Sequence, residues 1–197
     1  MTDLDPIERR EVFRGRLLRV YVDRVTLPGG TRVEREIVRH PGAAAVLPIR
    51  QREGPSGGTV PTVVLVRQYR YAADRELWEV PAGTLERGES PEACAARELR
   101  EEAGLEAAEL RPMASFFTTP GFTDERIHLY VATGLRQVGA EPEPEERIRR
   151  VEMPLERALK MVREGEVMDA KTICALLGAE RMVDRRATAG RRDVSEE

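Results

Sequence analysis

The order of extended and helical stretches in this sequence predicts an α/β domain preceded by an antiparallel β-hairpin. Runs of β-branched and apolar residues recur along the chain, one sharply bounded helix interrupts them, and two amphipathic helical stretches follow. At 197 residues the chain has the length of one ordinary domain, with or without a small extension. We therefore predict a β extension over residues 1–41, a main domain over residues 42–185 and a disordered tail over residues 186–197.

Turn residues mark the hairpin and the first core strands. Residues 12–27 and 31–40 read as extended, and Pro-Gly-Gly at residues 28–30 supplies the turn between them. Residues 42–49 and 62–70 are apolar enough to be buried strands, and a loop rich in Gly, Pro and Ser joins them.

The best-marked element is a helix with signals at both ends. Ser90 is suited to the N-cap, Pro91 to the first helical position, and Gly104 to the left-handed position after the last turn. A short strand over residues 77–83 precedes this helix. The elements predicted after it are strands near residues 110–120, 126–135 and 148–153, then helices over residues 154–164 and 169–185.

Composition excludes several classes of function. A net charge of −3 leaves no electrostatic footprint for nucleic acid. The two cysteines lie far apart and the two histidines, His40 and His128, are not clustered, so we expect neither a disulfide framework nor a zinc site and interpret both histidines as structural. No apolar run has the length of a membrane span, and the N-terminus has no signal-like apolar segment, so we expect a cytoplasmic protein that binds no membrane.

The bounded helix carries an unusual density of carboxylates. Glu98, Glu101 and Glu102 are spaced i, i+3 and i, i+4, which places them on one side of the helix, where like charges repel. A hard divalent cation, Mg²⁺ or Mn²⁺, would convert that repulsion into attraction, and Mg²⁺ fills its shell with water and substrate phosphates. The alternative is a solvated acidic face, which charge runs commonly form.

A longer pattern separates these alternatives. Gly83 is followed after five residues by Glu89 and after seven more by residues 97–105, Arg-Glu-Leu-Arg-Glu-Glu-Ala-Gly-Leu. This spacing resembles the signature of the Nudix hydrolases at every fixed position. The resemblance implies an α/β/α sandwich with a mixed sheet. It also implies a metal site of Glu98, Glu102 and the main-chain carbonyl of Ala82, with Glu101 and Glu102 in catalytic positions and two or three ions present with substrate.

Three flanking features resemble one branch of that family, the ADP-ribose pyrophosphatases. They are Val-Arg-Gln-Tyr-Arg at residues 66–70, Leu-Trp-Glu-Val-Pro-Ala-Gly at residues 77–83, and Pro120 fifteen positions after Leu105. The resemblance implies that Arg70 contacts phosphates and that Glu79 and Glu125 hold the substrate, with Pro120 beside them. It also implies a homodimer formed through the N-terminal strands, although these strands equally suit an intramolecular sheet edge.

The family also places a catalytic or metal-binding glutamate on the acidic loop between the strands predicted at residues 126–135 and 148–153. Glu141, Glu143, Glu145 and Glu146 all compete for that role here, and the position of Ile148 favours Glu146 and then Glu145. A solvated loop held extended by Pro142 and Pro144 is the alternative.

The expected function is therefore Mg²⁺-dependent hydrolysis of a nucleoside diphosphate derivative, with ADP-ribose giving AMP and ribose 5-phosphate. Another nucleotide sugar or dinucleotide, such as GDP-mannose or NADH, is the nearer alternative. A sensor that binds ADP-ribose without hydrolysing it is the more distant one, and the intact signature argues against it.

Overall fold

The computed structural model of the chain describes residues 6–54, 57–139 and 148–192. Its N-terminal part is a three-stranded antiparallel sheet in the order β1–β2–β3, formed by Glu8–Arg14, Arg19–Thr26 and Arg32–Arg39. The turn between β2 and β3 holds Gly29 and Gly30 at φ 97° and 89°, a conformation that glycine adopts without strain. The predicted hairpin is confirmed, and β1 adds a third strand to it.

A second sheet forms the centre of the molecule. Its strands are β4 (Ala43–Glu53), β5 (Thr59–Arg70), β6 (Arg75–Glu79), β7 (Ala82–Thr84), β8 (Leu105–Phe117), β9 (Arg126–Gln137) and β10 (Arg149–Pro154). The main path runs β10–β5–β4–β9–β8, with β6 paired to β5 and β7 to β4. Strands β4 and β9 are parallel and the other pairs are antiparallel, so the sheet is mixed.

Helices cover both faces of this sheet. Ala44 and Val46 of β4 face a core that includes Cys94 and Leu99 of helix α1 (Pro91–Ala103). The alternate β4 residues Ala43, Ala45 and Leu47 face the opposite core, which α2 (Leu155–Arg163) and α3 (Ala170–Arg192) complete. Because successive side chains of a strand point to opposite faces, one buried strand supplies both cores of an α/β/α sandwich.

Helix α1 begins and ends where the sequence predicts. The Ser90 hydroxyl accepts a hydrogen bond from the Ala93 N–H at 3.2 Å, and Gly104 lies at φ 64° with its N–H bonded to the Arg100 carbonyl. The two caps set the ends of the helix, and the packing of Cys94 and Leu99 in the core sets which of its faces turns toward the sheet.

The last helix differs from the prediction. α3 continues to Arg192, past the expected end at Arg185, because the added residues include arginines and alanines that favour helix. Helix α2 ends at Arg163, close to the predicted boundary. Among the described residues, no helix combines the length and apolarity needed to cross a membrane.

The N-terminal sheet is attached to the loop between β8 and β9. The Val38 N–H donates to the Phe122 carbonyl at 2.7 Å, and the Asp124 N–H donates back to the Val38 carbonyl at 3.3 Å. The Asp124 carboxylate accepts from the His40 N–H and from the Arg39 guanidinium, both at 2.9 Å. These contacts hold the β8–β9 loop against the end of the N-terminal sheet.

Candidate active site

A cavity of about 830 Å³ lies where β7, α1, the β8–β9 loop and the start of α3 meet. Most of its lining side chains are charged or polar, which suits a charged ligand. The central lining residues are Ala82, Gly83, Thr84, Arg97, Glu98, Glu101, Thr118, Glu125, Asp169, Lys171 and Cys174; Arg70 and Phe116 also contribute, as do Arg16 and Leu17 from the β1–β2 turn.

The carboxylates of α1 are buried against the β7 backbone. Glu98 is 8% exposed and Glu102 is 4% exposed. The Ala82 N–H donates to Glu102 Oε2 at 2.9 Å, and the Glu98 carboxylate lies so close to Gly83 that a Cβ there would meet Glu98 Oε1 at 1.8 Å. Only a glycine leaves room for this carboxylate, so the first residue of the signature has a steric reason.

Arg97 connects the carboxylates to one another. Its guanidinium donates to Glu89 Oε1 at 2.9 Å, to Glu98 Oε1 at 2.6 Å and to Glu101 Oε2 at 3.0 Å. The hydrogen bond from Arg97 is the main cause that lowers the pKa of Glu89 from its ordinary value. Arg97 thus pairs with Glu89, and the same cation offsets the repulsion among the carboxylates of the helix.

The donor chemistry fits a hard divalent cation. Glu98, Glu101 and the backbone of Ala82 line one cavity wall, Glu102 lies directly behind it, and the side chains of this set supply only oxygen. In the described ranges no three His, Cys, Asp or Glu side chains are arranged as a complete metal site. The carboxylates of Glu98 and Glu101 instead both accept hydrogen bonds from Arg97.

A second charged cluster contributes Arg70 and Lys171 to the lining of the same cavity. Glu79, only 2% exposed, accepts from Arg70 Nε at 2.7 Å and from Lys171 Nζ at 2.6 Å. Burial alone would raise the pKa of Glu79, but the hydrogen bonds and charges of Arg70 and Lys171 outweigh burial and lower it to about 2. Glu79 is therefore ionised at neutral pH.

The predicted substrate residues separate into two groups. Arg70 and Glu125 lie on the cavity wall, and Glu125 Oε2 accepts from the Thr118 hydroxyl at 2.8 Å. Glu79 lies beneath Arg70, and Pro120 lines a different cavity of about 390 Å³ between the N-terminal sheet and the β8–β9 loop. Lys171 and Asp169 also line the main cavity. Both residues were missed in the sequence because they belong to no motif recognised there.

Other predicted residues have different positions. His40 Nδ1 accepts from the Gly42 N–H at 3.0 Å, a contact that orients the ring within the fold and agrees with a structural role. Burial, with the nearby charge of Arg126, lowers the pKa of His128. The four glutamates at residues 141, 143, 145 and 146, including the favoured Glu145 and Glu146, lie outside the described residues, so their roles stay predictions.

The fold and the site together define a class, the α/β/α sandwich proteins that present a glutamate-rich helix to a divalent cation. The family model described as "NUDIX domain" matches residues 39–176, and this chain belongs to that family. The family assignment predicted from the signature is thereby confirmed.

Relatives match nearly the whole chain. The chain is 41% identical over 172 residues to the "Methanol dehydrogenase activator" of Bacillus methanolicus, covering 86% of this chain and 89% of that protein. It is also 41% identical over 172 residues to the "ADP-ribose pyrophosphatase" of Bacillus subtilis (strain 168), with the same coverage. A solved structure described as an ADP compounds hydrolase superposes with a TM-score of 0.79 at 21% identity, covering 94% of this chain and 97% of the other, which confirms the predicted fold.

We expect Gly83→Ala to displace the Glu98 carboxylate and to weaken divalent-cation binding at least about tenfold, or ~1.4 kcal/mol. The reason is the 1.8 Å approach between the new Cβ and Glu98 Oε1. Calorimetric titration of the purified variant with Mg²⁺ measures the effect. Gly121→Ala is the matched control, since a Cβ there would meet nothing within 4 Å. Wild-type affinity in Gly83→Ala would show that Glu98 does not hold the cation.

We expect the stability that Glu79 contributes to be lost on acidification. Its folded-state pKa of about 2 lies below the ordinary glutamate value of 4.5, so the contribution is complete above about pH 5 and disappears as the pH falls toward 2. Urea unfolding of wild type and Glu79→Gln should give curves that differ at neutral pH and converge on acidification. A gap that does not depend on pH would contradict an ionised, paired Glu79.

Proposed function

We propose that this protein is a Mg²⁺-dependent pyrophosphohydrolase that cleaves ADP-ribose with one water molecule to give AMP and ribose 5-phosphate. The observation that carries the proposal is one cavity lined by side chains of both charges. Glu98 and Glu101 contribute carboxylates to the lining, and Arg70 and Lys171 contribute cations. A cation and a diphosphate are the ligands that complement these two kinds of group.

We assign a role to each residue from its position in the cavity. We assign Glu98 and Glu102, with the carbonyl of Ala82, to hold Mg²⁺, and Arg70 to bind a phosphate through its planar guanidinium. Two or three bound ions would neutralise the diphosphate and lower the pKa of the attacking water. Glu125, braced by Thr118, is placed to accept hydrogen bonds from a ribose hydroxyl. No covalent nucleophile is required in this scheme.

Similarity alone does not select the activity, because relatives named for enzyme activation and for ADP-ribose hydrolysis are equally similar to this chain. The intact signature supports hydrolysis. All its fixed residues are present, and Gly83 gives the Glu98 carboxylate room beside β7.

Incubation of the pure protein with ADP-ribose, GDP-mannose and NADH, with and without Mg²⁺, tests the proposal directly. We expect the highest kcat/KM for ADP-ribose, strict dependence on the cation, and AMP with ribose 5-phosphate as the products separated by chromatography. Preference for GDP-mannose or NADH would move the assignment to another nucleotide substrate, and tight binding of ADP-ribose without turnover would indicate a sensor.

The catalytic base is proposed among Glu101, Glu145 and Glu146. Glu101 lines the cavity with its side chain 35% exposed, which leaves it accessible to water. Comparison of kcat for the three single Glu→Gln variants decides among them, and activity within about threefold of wild type, below ~1 kcal/mol, removes a residue from the list.

We also propose a homodimer formed through the N-terminal sheet, and a cytoplasmic location in keeping with its free cysteines. Every residue of β1 is exposed, and Phe13 is 56% exposed beside the exposed Val12. An exposed edge strand that carries two neighbouring apolar side chains suits a second copy of the chain. Light scattering that gives the monomer mass of 22.2 kDa at all concentrations would contradict the dimer.

We expect Glu102→Gln to keep the fold but to lower kcat at least about a hundredfold, because it removes a charged group that supports the cation most strongly in the transition state. The amide oxygen can still accept the Ala82 N–H bond, so the melting temperature should change little. Glu92→Gln, an exposed change on the first turn of the same helix, is the control. Wild-type turnover in Glu102→Gln at saturating Mg²⁺ would refute the assignment.

A further inference from the structure

A side-chain hydroxyl of helix α3 contacts the backbone of the segment that joins β6 to β7. Thr172 is fully buried, at 0% exposure, and its hydroxyl accepts a hydrogen bond from the Val80 N–H at 2.8 Å. The two residues lie 92 positions apart in the sequence. This contact therefore attaches the start of α3 to the chain just before β7.

The joining segment offers few polar groups by which it can be held. β6 ends at Glu79 and β7 begins at Ala82, so Val80 and Pro81 lie outside both strands. Proline has no N–H, and the Val80 N–H is therefore the one amide donor of these two residues. The Pro81 carbonyl accepts from the Val46 N–H of β4 at 2.9 Å. The segment is thus held from the sheet through its carbonyl and from α3 through its N–H.

Asp169 fixes the orientation of the Thr172 hydroxyl. The hydroxyl donates its single hydrogen to Asp169 Oδ2 at 2.5 Å, and the same oxygen accepts from the Thr172 N–H at 3.0 Å. With its hydrogen placed on Asp169, the hydroxyl oxygen presents lone pairs to the Val80 N–H. Because Thr172 is buried, water does not replace this acceptor, and its removal would deprive a buried N–H of this partner.

The chain that follows Val80 belongs to the proposed cation site. Ala82 lies two positions later, its N–H donates to Glu102 Oε2 at 2.9 Å, and its carbonyl is the main-chain ligand assigned above to Mg²⁺. Gly83 comes next, where the Glu98 carboxylate lies against the backbone. A displacement of Val80 would move Ala82 as well, because the proline between them has a fixed φ and makes the link stiff.

We propose that Thr172 is a positioning residue of the cation site, which holds the segment before β7 where the Ala82 carbonyl can bind Mg²⁺ together with the carboxylates of α1. This inference rests on the proposed function, because it takes the cation assigned there as the ligand. Mg²⁺ requires nearly ideal octahedral geometry with short oxygen distances, so a small displacement of one ligand weakens binding. The competing role for Thr172 is only to stabilise the packing of α3 on the core.

Substitutions that keep the shape of Thr172 but change its acceptor separate the two roles. Thr172→Val is nearly isosteric and removes the hydroxyl, so we expect it to bind Mg²⁺ about tenfold more weakly than wild type, ~1.4 kcal/mol. Thr172→Ser keeps the hydroxyl and should bind Mg²⁺ within about twofold of wild type. Calorimetric titration with Mg²⁺ in the absence of substrate measures both affinities, so the readout does not depend on turnover.

Thr62→Val is the matched control. Thr62 is also buried, at 6% exposure, and its hydroxyl donates to the Val60 carbonyl at 3.3 Å, but it lies on β5 and is not part of the described lining of the main cavity. We expect Thr62→Val to lower the melting temperature and to leave the Mg²⁺ affinity unchanged. A loss of stability alone then does not reproduce the result expected for Thr172→Val.

The dependence of turnover on Mg²⁺ gives a second distinction. At limiting Mg²⁺, hydrolysis of ADP-ribose by Thr172→Val should be about tenfold slower, in proportion to the weaker affinity. Saturating Mg²⁺ should restore kcat to within about threefold of wild type. A merely structural defect would instead lower turnover by the same factor at every Mg²⁺ concentration.

Thr172→Cys replaces Thr172→Val if the latter fails to fold. Serine and cysteine are similar in shape and differ in the acceptor atom, and a thiol sulfur accepts hydrogen bonds only weakly. Thr172→Cys should therefore bind Mg²⁺ more weakly than Thr172→Ser, and equal affinities of these two variants would contradict the proposal.

The outcomes distinguish this inference from the proposed function. Wild-type Mg²⁺ affinity in Thr172→Val, with only a lower melting temperature, would overturn the inference and leave Thr172 as a structural residue. If wild type binds Mg²⁺ but hydrolyses none of the substrates, the proposed function fails, and the titration still decides the role of Thr172. If wild type binds no Mg²⁺, both are overturned.

Discussion

The close approach of Glu98 to the bare Cα of Gly83 is the constraint on which the site depends. A side chain at position 83 would occupy the space of the Glu98 carboxylate, so glycine there lets this carboxylate lie against β7. The Ser90 and Gly104 caps set the ends of α1, and the packing of Cys94 and Leu99 on the sheet sets which face of the helix turns toward β7. Helix capping, sheet register and one missing Cβ together produce a buried row of carboxylates, an arrangement that repulsion alone would disfavour.

Two clusters of charged side chains stabilise this arrangement. One cluster has more carboxylates than cations, and the other has more cations than carboxylates. Arg97 contacts three carboxylates, Glu89, Glu98 and Glu101, so that cluster keeps an excess of negative charge. Glu79 instead contacts two cations, Arg70 and Lys171. Burying an unpaired charge raises the free energy of the folded state. Each cluster offsets this cost through bidentate or multiple hydrogen bonds. Both clusters contribute side chains to the lining of one cavity, one with an excess of negative charge and the other with an excess of positive charge.

The sequence predicted what depends on local signals and missed what depends on topology. Ser90, Pro91 and Gly104 defined α1 correctly because caps act within a few residues. The parallel pairing of β4 with β9 could not be read from the strands themselves, since alternation shows a strand but not its partner. Lys171 was missed because its partner Glu79 lies 92 positions away and no motif joins them. Pro120 was recognised by its spacing, yet its side chain lies at the neighbouring cavity, which only the path of the β8–β9 loop reveals.

The functional unit is larger than the segment that matches the family. That match begins at residue 39, whereas Val38 at the end of β3 pairs with the loop that carries Asp124 and Glu125. Asp124 is held by Arg39 and by the His40 backbone, and the next residue, Glu125, enters the cavity with its backbone bonded to Thr118. A cavity residue is thus positioned by contacts that originate in the N-terminal sheet. The β1–β2 turn adds Arg16 and Leu17 to the same cavity wall. The extension therefore belongs to the active site by its contacts, whatever it also contributes to assembly.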